Sequence, residues 1–188
     1  MRRAIAHIRF VLRRFACTSS AAAAVEFALI LPLLLTLYLG SVELSSAISV
    51  DKRVATVSGS LGDLVARADG SITSTTIDDY FLAASATMAP YPSTGVKQVV
   101  SSIFVNSSGV AKVSWSRGYN GATKHAVNST YTLPTDLKNL ALNSYVIVSE
   151  AQMSYLPLFG YFFETAFTLY HEYFFLPRFD EAIACTGC

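Results

Sequence analysis

The chain has 188 residues, of which 52% are hydrophobic and 14% charged, more apolar than a wholly soluble domain of this size. Its net charge of +1 conceals an asymmetry: Arg2, Arg3, Arg9, Arg13 and Arg14 precede residue 21, leaving nine Lys and Arg against thirteen Asp and Glu. A remainder four units negative argues against nucleic acid as the main partner, because backbone affinity for phosphates needs a basic face.

Residues 1–21 read as a basic cytoplasmic leader, since arginines ahead of an apolar run hold that end in the cytoplasm and send the rest across the membrane. The run from Ala21 to Gly40 gives about 30 Å of helix, the thickness of a bilayer core. We therefore expect a transmembrane helix over 22–44. Its charge-free part, Phe27 to Val42, is short and contains Pro32 and Thr36, which also suits a secretory signal peptide cut near Ser45 and Ala47. Two features favour a retained helix. The leader is long for a signal peptide, and the apolar positions Val50, Val54, Val57, Leu61, Leu64 and Ala68 continue at helical spacing beyond the run. That stripe, in a helix extension over 45–70, packs either on its own domain or against another subunit.

Asp69-Gly70-Ser71 ends the helical pattern, and Ser71 to Thr76 reads as a polar linker. A short helix starts near Thr76, with Asp78 and Asp79 in its first turn and Tyr80, Phe81, Ala84 and Met88 on one side. Pro90 and Pro92 stop it. Strands are expected at Val96 to Val105, Ala111 to Ser116, Asn143 to Met153 and Thr165 to Leu176, with a hairpin turn at Asn106-Ser107-Ser108-Gly109. The order gives an α+β fold: a long N-terminal helix continuing into an extracytoplasmic domain, 71–188, with a short helix and an antiparallel sheet of about four strands. The aromatic segment Tyr155 to Phe163 reads as core, a partner contact or a patch on the membrane surface.

No constellation of catalytic residues emerges. His171-Glu172 opens like a zinc-protease motif, but Phe175 occupies the second histidine position. His125 has no suitably spaced acid or nucleophile, and no metal or cofactor site is expected. Cys185 and Cys188 are read as a terminal disulfide, which the oxidising side of a membrane allows and which contributes roughly 2 kcal/mol at most. Unpaired thiols, an intermolecular link, and metal or redox use are the alternatives.

One carboxylate stands inside the apolar run. Glu26 lies in Ala24-Val25-Glu26-Phe27-Ala28, where a mid-bilayer charge costs roughly 2.5 to 3.5 kcal/mol and so requires a partner or a place at the interface. The leader arginines could serve as counter-ions. Together with the following apolar sequence, Pro32, Gly40 and Glu43, this motif resembles the N-terminal motif of TadE-like proteins, pseudopilins of the tight adherence (Flp) type IV pilus system. Leu176-Pro177-Arg178 and Cys185-Thr186-Gly187-Cys188 resemble the end of some members.

The resemblance implies a pilin-like fold and a non-enzymatic minor pilin that takes part in pilus assembly. It implies a prepilin peptidase acting between Ala21 and Ala22, which would place Glu26 fifth in the mature chain. Where the family usually has glycine before the cut, this chain has Ala21. Glu26 and Phe27 would then serve intramembrane assembly and recognition, with Glu26 one helical turn from the new amine of Ala22. Implied partners are other pilins, the prepilin peptidase, the inner-membrane assembly platform and the lipid bilayer. The implied location is the inner membrane, single pass, with the C-terminal domain periplasmic. The competing reading is a secreted or anchored binding module with an ordinary signal peptide.

Overall fold

The computed structural model describes residues 19–157, 165–179 and 182–188, with side chains from residue 22 onward. The leader arginines, Cys17 and the Leu158 to Phe163 part of the aromatic segment lie outside the described residues. The chain divides into two compact units at Ser45/Ser46. Helix α1 runs from Ser19 to Ala66. It is followed by β1 (Ser71–Thr73), α2 (Ser74–Ala86), β2 (Val96–Val105), β3 (Ala111–Tyr119), α3 (Thr135–Leu140), β4 (Ser144–Tyr155), β5 (Phe167–Phe175) and β6 (Ala184–Thr186).

The second unit is built on a four-stranded antiparallel sheet of order β3-β2-β4-β5. The expected α+β fold is therefore present, with a long N-terminal helix, a short helix and four antiparallel strands. The hairpin between β2 and β3 turns where its residues demand: Asn106 Oδ1 accepts the backbone N–H groups of Ser108 and Val110 at 2.9 and 2.8 Å. Gly109 supplies a φ of +75°, conformational space open to glycine at little cost. A register shift between Ser102 and Ile103 adds a bulge to the β2–β3 pairing.

The portion of α1 within this unit lies along β4 and β5. Asp51 meets His171, Ser58 meets Ser149, and Gly62 sits against Ser149 and Phe175. The helix therefore runs parallel to β5. Its buried stripe is Val50, Val54, Val57, Leu61, Val65 and Ala66. The expected Leu64 and Ala68 are only partly buried, because near its end the helix turns Val65 and Ala66 toward the core. Two small residues set the close approach. A Cβ on Gly62 would fall 2.6 Å from Ser149 Oγ and collide with the Phe175 ring. One turn earlier, Ser58 Oγ donates to Ser149 O at 2.8 Å while Ser149 Oγ donates to Ser58 O at 2.7 Å, so two buried carbonyls gain a second hydrogen bond.

Helix α2 starts earlier than the sequence suggested. Thr73 caps it, its Oγ1 accepting the Thr76 N–H at 3.2 Å, so Asp78 and Asp79 fall past the first turn. Asp78 instead forms a two-pronged ion pair with Arg117 on β3, at 2.8 and 2.6 Å. Ile77, Phe81, Ala84 and Met88 make the buried side, with Phe81 stacked on Tyr119 at 5.2 Å between ring centroids. Burying each larger side chain contributes about 1.5 to 3 kcal/mol. The polar linker expected at Ser71 to Thr76 is instead β1 and the first turn of α2. β1 pairs in parallel with β6, Ser71 opposite Ala184 and Thr73 opposite Thr186.

On the opposite face of the sheet, Ile103, Val105, Val113, Val146 and Val148 form a second apolar cluster with Leu133 and Ala141. The chain between β3 and β4 supplies that cover. It also lines the outer edge of β3: Val113 N donates to Ser129 O, Asn128 N to Val113 O and Tyr131 N to Ala111 O, which protects an edge otherwise open to strand pairing.

Candidate functional site

Side chains 22–38 of α1 are all exposed, among them Val25, Phe27, Leu29, Leu33 and Leu37. The helix is long and apolar enough to cross a membrane, and none of its most apolar stretch is buried. An apolar helix that finds no protein cover needs another apolar surround. Two hydroxyls of this helix are satisfied within it: Thr36 Oγ1 donates to Pro32 O at 2.8 Å and Ser41 Oγ to Tyr38 O at 2.7 Å. Lipid demands such internal pairing because it offers no partners of its own. Pro32 lies inside the helix and lacks the N–H that would bond four residues back. Ala22 and Glu26 are both exposed and helical, four residues apart, and so share a face. Phe27 beside them is 59% exposed. Ala21 lies in α1, with its side chain outside the described set. Glu43 is 3% exposed.

The terminal cysteines belong to a different part of the fold. Cys185 sits in β6 opposite Ile72, and its sulfur is within disulfide distance of that of Cys188, the two Cα atoms 5.8 Å apart. The segment is held from both sides. Ala184 N donates to Gly70 O at 2.9 Å, and the Trp115 indole donates to Ile183 O at 2.7 Å. Leu176-Pro177-Arg178 acts at the end of α1, where Arg178 N donates to Ala66 O at 2.9 Å and its guanidinium bonds Asp63 at 2.6 Å. Arg67 pairs with the same carboxylate. The Arg67 hydrogen bond, reinforced by Arg178, holds Asp63 below its usual value.

A polar cluster that the sequence reading missed occupies the sheet face opposite α1. Glu150 on β4 and Glu172 on β5 stand directly across from one another, an arrangement that costs energy unless each carboxylate is separately bonded. His125 Nε2 bonds Glu150 Oε2 at 2.7 Å, Tyr170 OH donates to Glu150 Oε1 at 2.6 Å, and Tyr131 OH donates to Glu172 Oε1 at 2.5 Å. Burial and the bonds to the carboxylates push both tyrosines up. Burial, reinforced by the charge of Glu150, raises Glu172 against the lowering effect of the Tyr131 hydrogen bond and of His125. A cavity of about 200 Å³ adjoins His125, Glu150 and Tyr170.

The chemistry of this cluster is that of a fastening. The nearest hydroxyl to His125 in the bonding network, Ser116 Oγ, receives the backbone N–H of His125 at 3.1 Å rather than its ring. Among the described residues no group of three or more His, Cys, Asp or Glu side chains is placed to hold a metal ion. The signal available in the sequence was the pair of alternations Glu150-x-Gln152 and Tyr170-x-Glu172, polar positions on one face of strands that are otherwise apolar.

Among the described residues, one exposed apolar helix followed by an α+β domain fits a single-pass membrane protein. Residues 21–58 match the family model described as TadE-like protein, in agreement with the resemblance carried by Glu26 and its neighbours. No curated protein and no solved structure matches the chain.

Proposed function

We propose that the protein is a minor pilin or pseudopilin that takes part in assembling a tight adherence type IV pilus. Its role is non-enzymatic and rests on packing of the 22–44 helix against other pilins in the inner membrane or the filament. The observation that carries this is the coincidence of two facts in one segment. The stretch that matches the TadE-like family includes the stretch of apolar side chains left uncovered. The leader faces the cytoplasm and the α+β domain the periplasm, with the arginines setting the orientation.

In this reading a prepilin peptidase cuts after Ala21, and the new ammonium of Ala22 pairs with Glu26 of its own chain or of a neighbour. Desolvated opposite charges favour each other strongly where lipid replaces water. Intact-mass measurement on the membrane-extracted protein tests it. A chain beginning at Ala22 supports processing, one beginning at Met1 supports a retained anchor, and one beginning near Ile48 overturns the pilin reading in favour of a secreted module.

A further inference from the structure

Beside the start of the second unit lies a cationic groove. Ser49, Lys52, Arg53 and Thr56 of α1 and Pro90 and Tyr91 beyond α2 enclose about 390 Å³. Lys52 and Arg53 are both exposed, and neither forms an ion pair with a described residue. The Arg53 guanidinium donates only to a neutral acceptor, Thr87 O, at 3.3 Å. No carboxylate lines the groove. The nearest in sequence, Asp51, is turned to the other side of the helix, where it bonds His171 at 2.8 Å. Two adjacent cations without a counter-charge among the described residues present the chemistry that recognises a phosphate group.

The place of the groove in the fold selects the source of that phosphate. Since α1 runs parallel to β5, its residues nearest Ser46 lie toward the end of the sheet where β4 finishes at Tyr155 and β5 begins at Phe167. That is the end from which the chain passes to the span. Lys52 and Arg53 are six and seven residues past Ser46, about 10 Å of helix, a gap that their long side chains can shorten. Leu156 is 64% exposed there, and the half-buried Tyr91 lines the groove itself. Aromatic rings and cations together are the composition of a membrane interface. Cations on this side of a span also work against the topology set by the leader arginines, so a local ligand accounts for them better than orientation does.

We infer that this groove binds the headgroup of an anionic phospholipid in the leaflet next to the second unit. Lys52 and Arg53 would hold the phosphate, Ser49 and Thr56 would lie within the same groove, and the Tyr91 ring would form the wall. The inference rests on the reading that 22–44 spans the bilayer. That reading is checked separately, by the chain start and by retention of the protein in carbonate-washed membranes.

The test is native mass spectrometry of the full chain in detergent titrated with phosphatidylglycerol or phosphatidylcholine. One phosphatidylglycerol is expected to be retained in preference to phosphatidylcholine. The K52Q/R53Q double variant should weaken that retention about thirtyfold, the combined effect of two surface cations, while K52R/R53K keeps it and reports that the fold is intact. The leader arginines are common to all three proteins and cancel in the comparison. Equal retention by K52Q/R53Q, or equal retention of phosphatidylcholine, overturns the inference. Displacement of the lipid by millimolar inorganic phosphate, with phosphate itself held as tightly, would assign the groove to a free anion instead.

Discussion

Gly62 and Gly59 lie one turn apart on the same helix and make opposite predictions. At Gly59 an added Cβ meets nothing within 4 Å, so Gly59→Ala gains helix propensity and should stabilise by up to about 1 kcal/mol. At Gly62 the same methyl collides with Phe175 and Ser149, and Gly62→Ala should lower stability by about 1 to 3 kcal/mol despite the propensity gain. Thermal unfolding of the two variants in detergent reads the contrast directly, and a destabilised Gly59→Ala would remove the argument. The paired serines behave as one unit. Ser58→Ala or Ser149→Ala should each cost about 1 kcal/mol, and because each carbonyl and hydroxyl belongs to the same pair, the double variant should cost less than the sum.

Glu172 gives the fold a pH signature. Its folded value lies above the ordinary 4.5, so the stability linked to its protonation is complete below 4.5 and is lost as pH rises through the folded value. Glu172→Gln keeps an acceptor for Tyr131 and removes the charge opposite Glu150. The melting temperature of the variant should therefore gain on the parent as pH rises above 4.5, and a constant difference across that range would count against the assignment. Asp63 and Asp78 act in the other direction. Both are held below 3.8 by arginine partners, and their contribution is present above that value and lost as pH falls through the folded ones.

At the scale of elements, sequence patterning located what is repetitive and missed what is made by tertiary pairing. β2 ends where the Asn-Ser-Ser-Gly turn requires, and α2 with the turn after it shows its apolar residues at the 4-3-4 spacing of 77, 81, 84 and 88. β1 and β6 carry three residues each, Ser-Ile-Thr and Ala-Cys-Thr, too few for any period to register. They exist because each supplies hydrogen bonds to the other. The same holds for His125. It sits in an irregular segment without periodicity, and its relation to Glu150 appears only when the chain between β3 and β4 folds back over the sheet. The long apolar helix was legible because its composition is simple and sustained, whereas the Glu150–Glu172 cluster depends on register between strands. His125→Ala should loosen the fold-back segment before the sheet. Amides such as Val113 and Tyr131 would then exchange hydrogen faster while those of β2 and β4 keep their protection.

For the molecule as a whole, the proposed role separates what holds the protein together from what lets it assemble. Substitution Glu26→Gln should leave the thermal stability of the α+β domain unchanged, because the residue lies outside that unit's core. If the proposed pairing with an Ala22 amine operates between subunits, co-purification of other pilins from solubilised membranes should fall at least fivefold. Undiminished recovery would confine Glu26 to a passive place at the bilayer edge.

The parallel pairing of Ser71–Thr73 with Ala184–Thr186 also sets an order of events. A chain synthesised from its N-terminus can lay α1 and α2 against a growing sheet, but this ladder, the Trp115 bond to Ile183 and the Arg178 cap on α1 all wait for segments that follow the sheet in sequence. Closing so long a loop is slow to reward. Until it closes, the end of α1 and the first strand stay open to solvent, to chaperones or to a neighbouring subunit's own late strand. The seam therefore works as a completion lock, separating a domain that is merely collapsed from one that is closed.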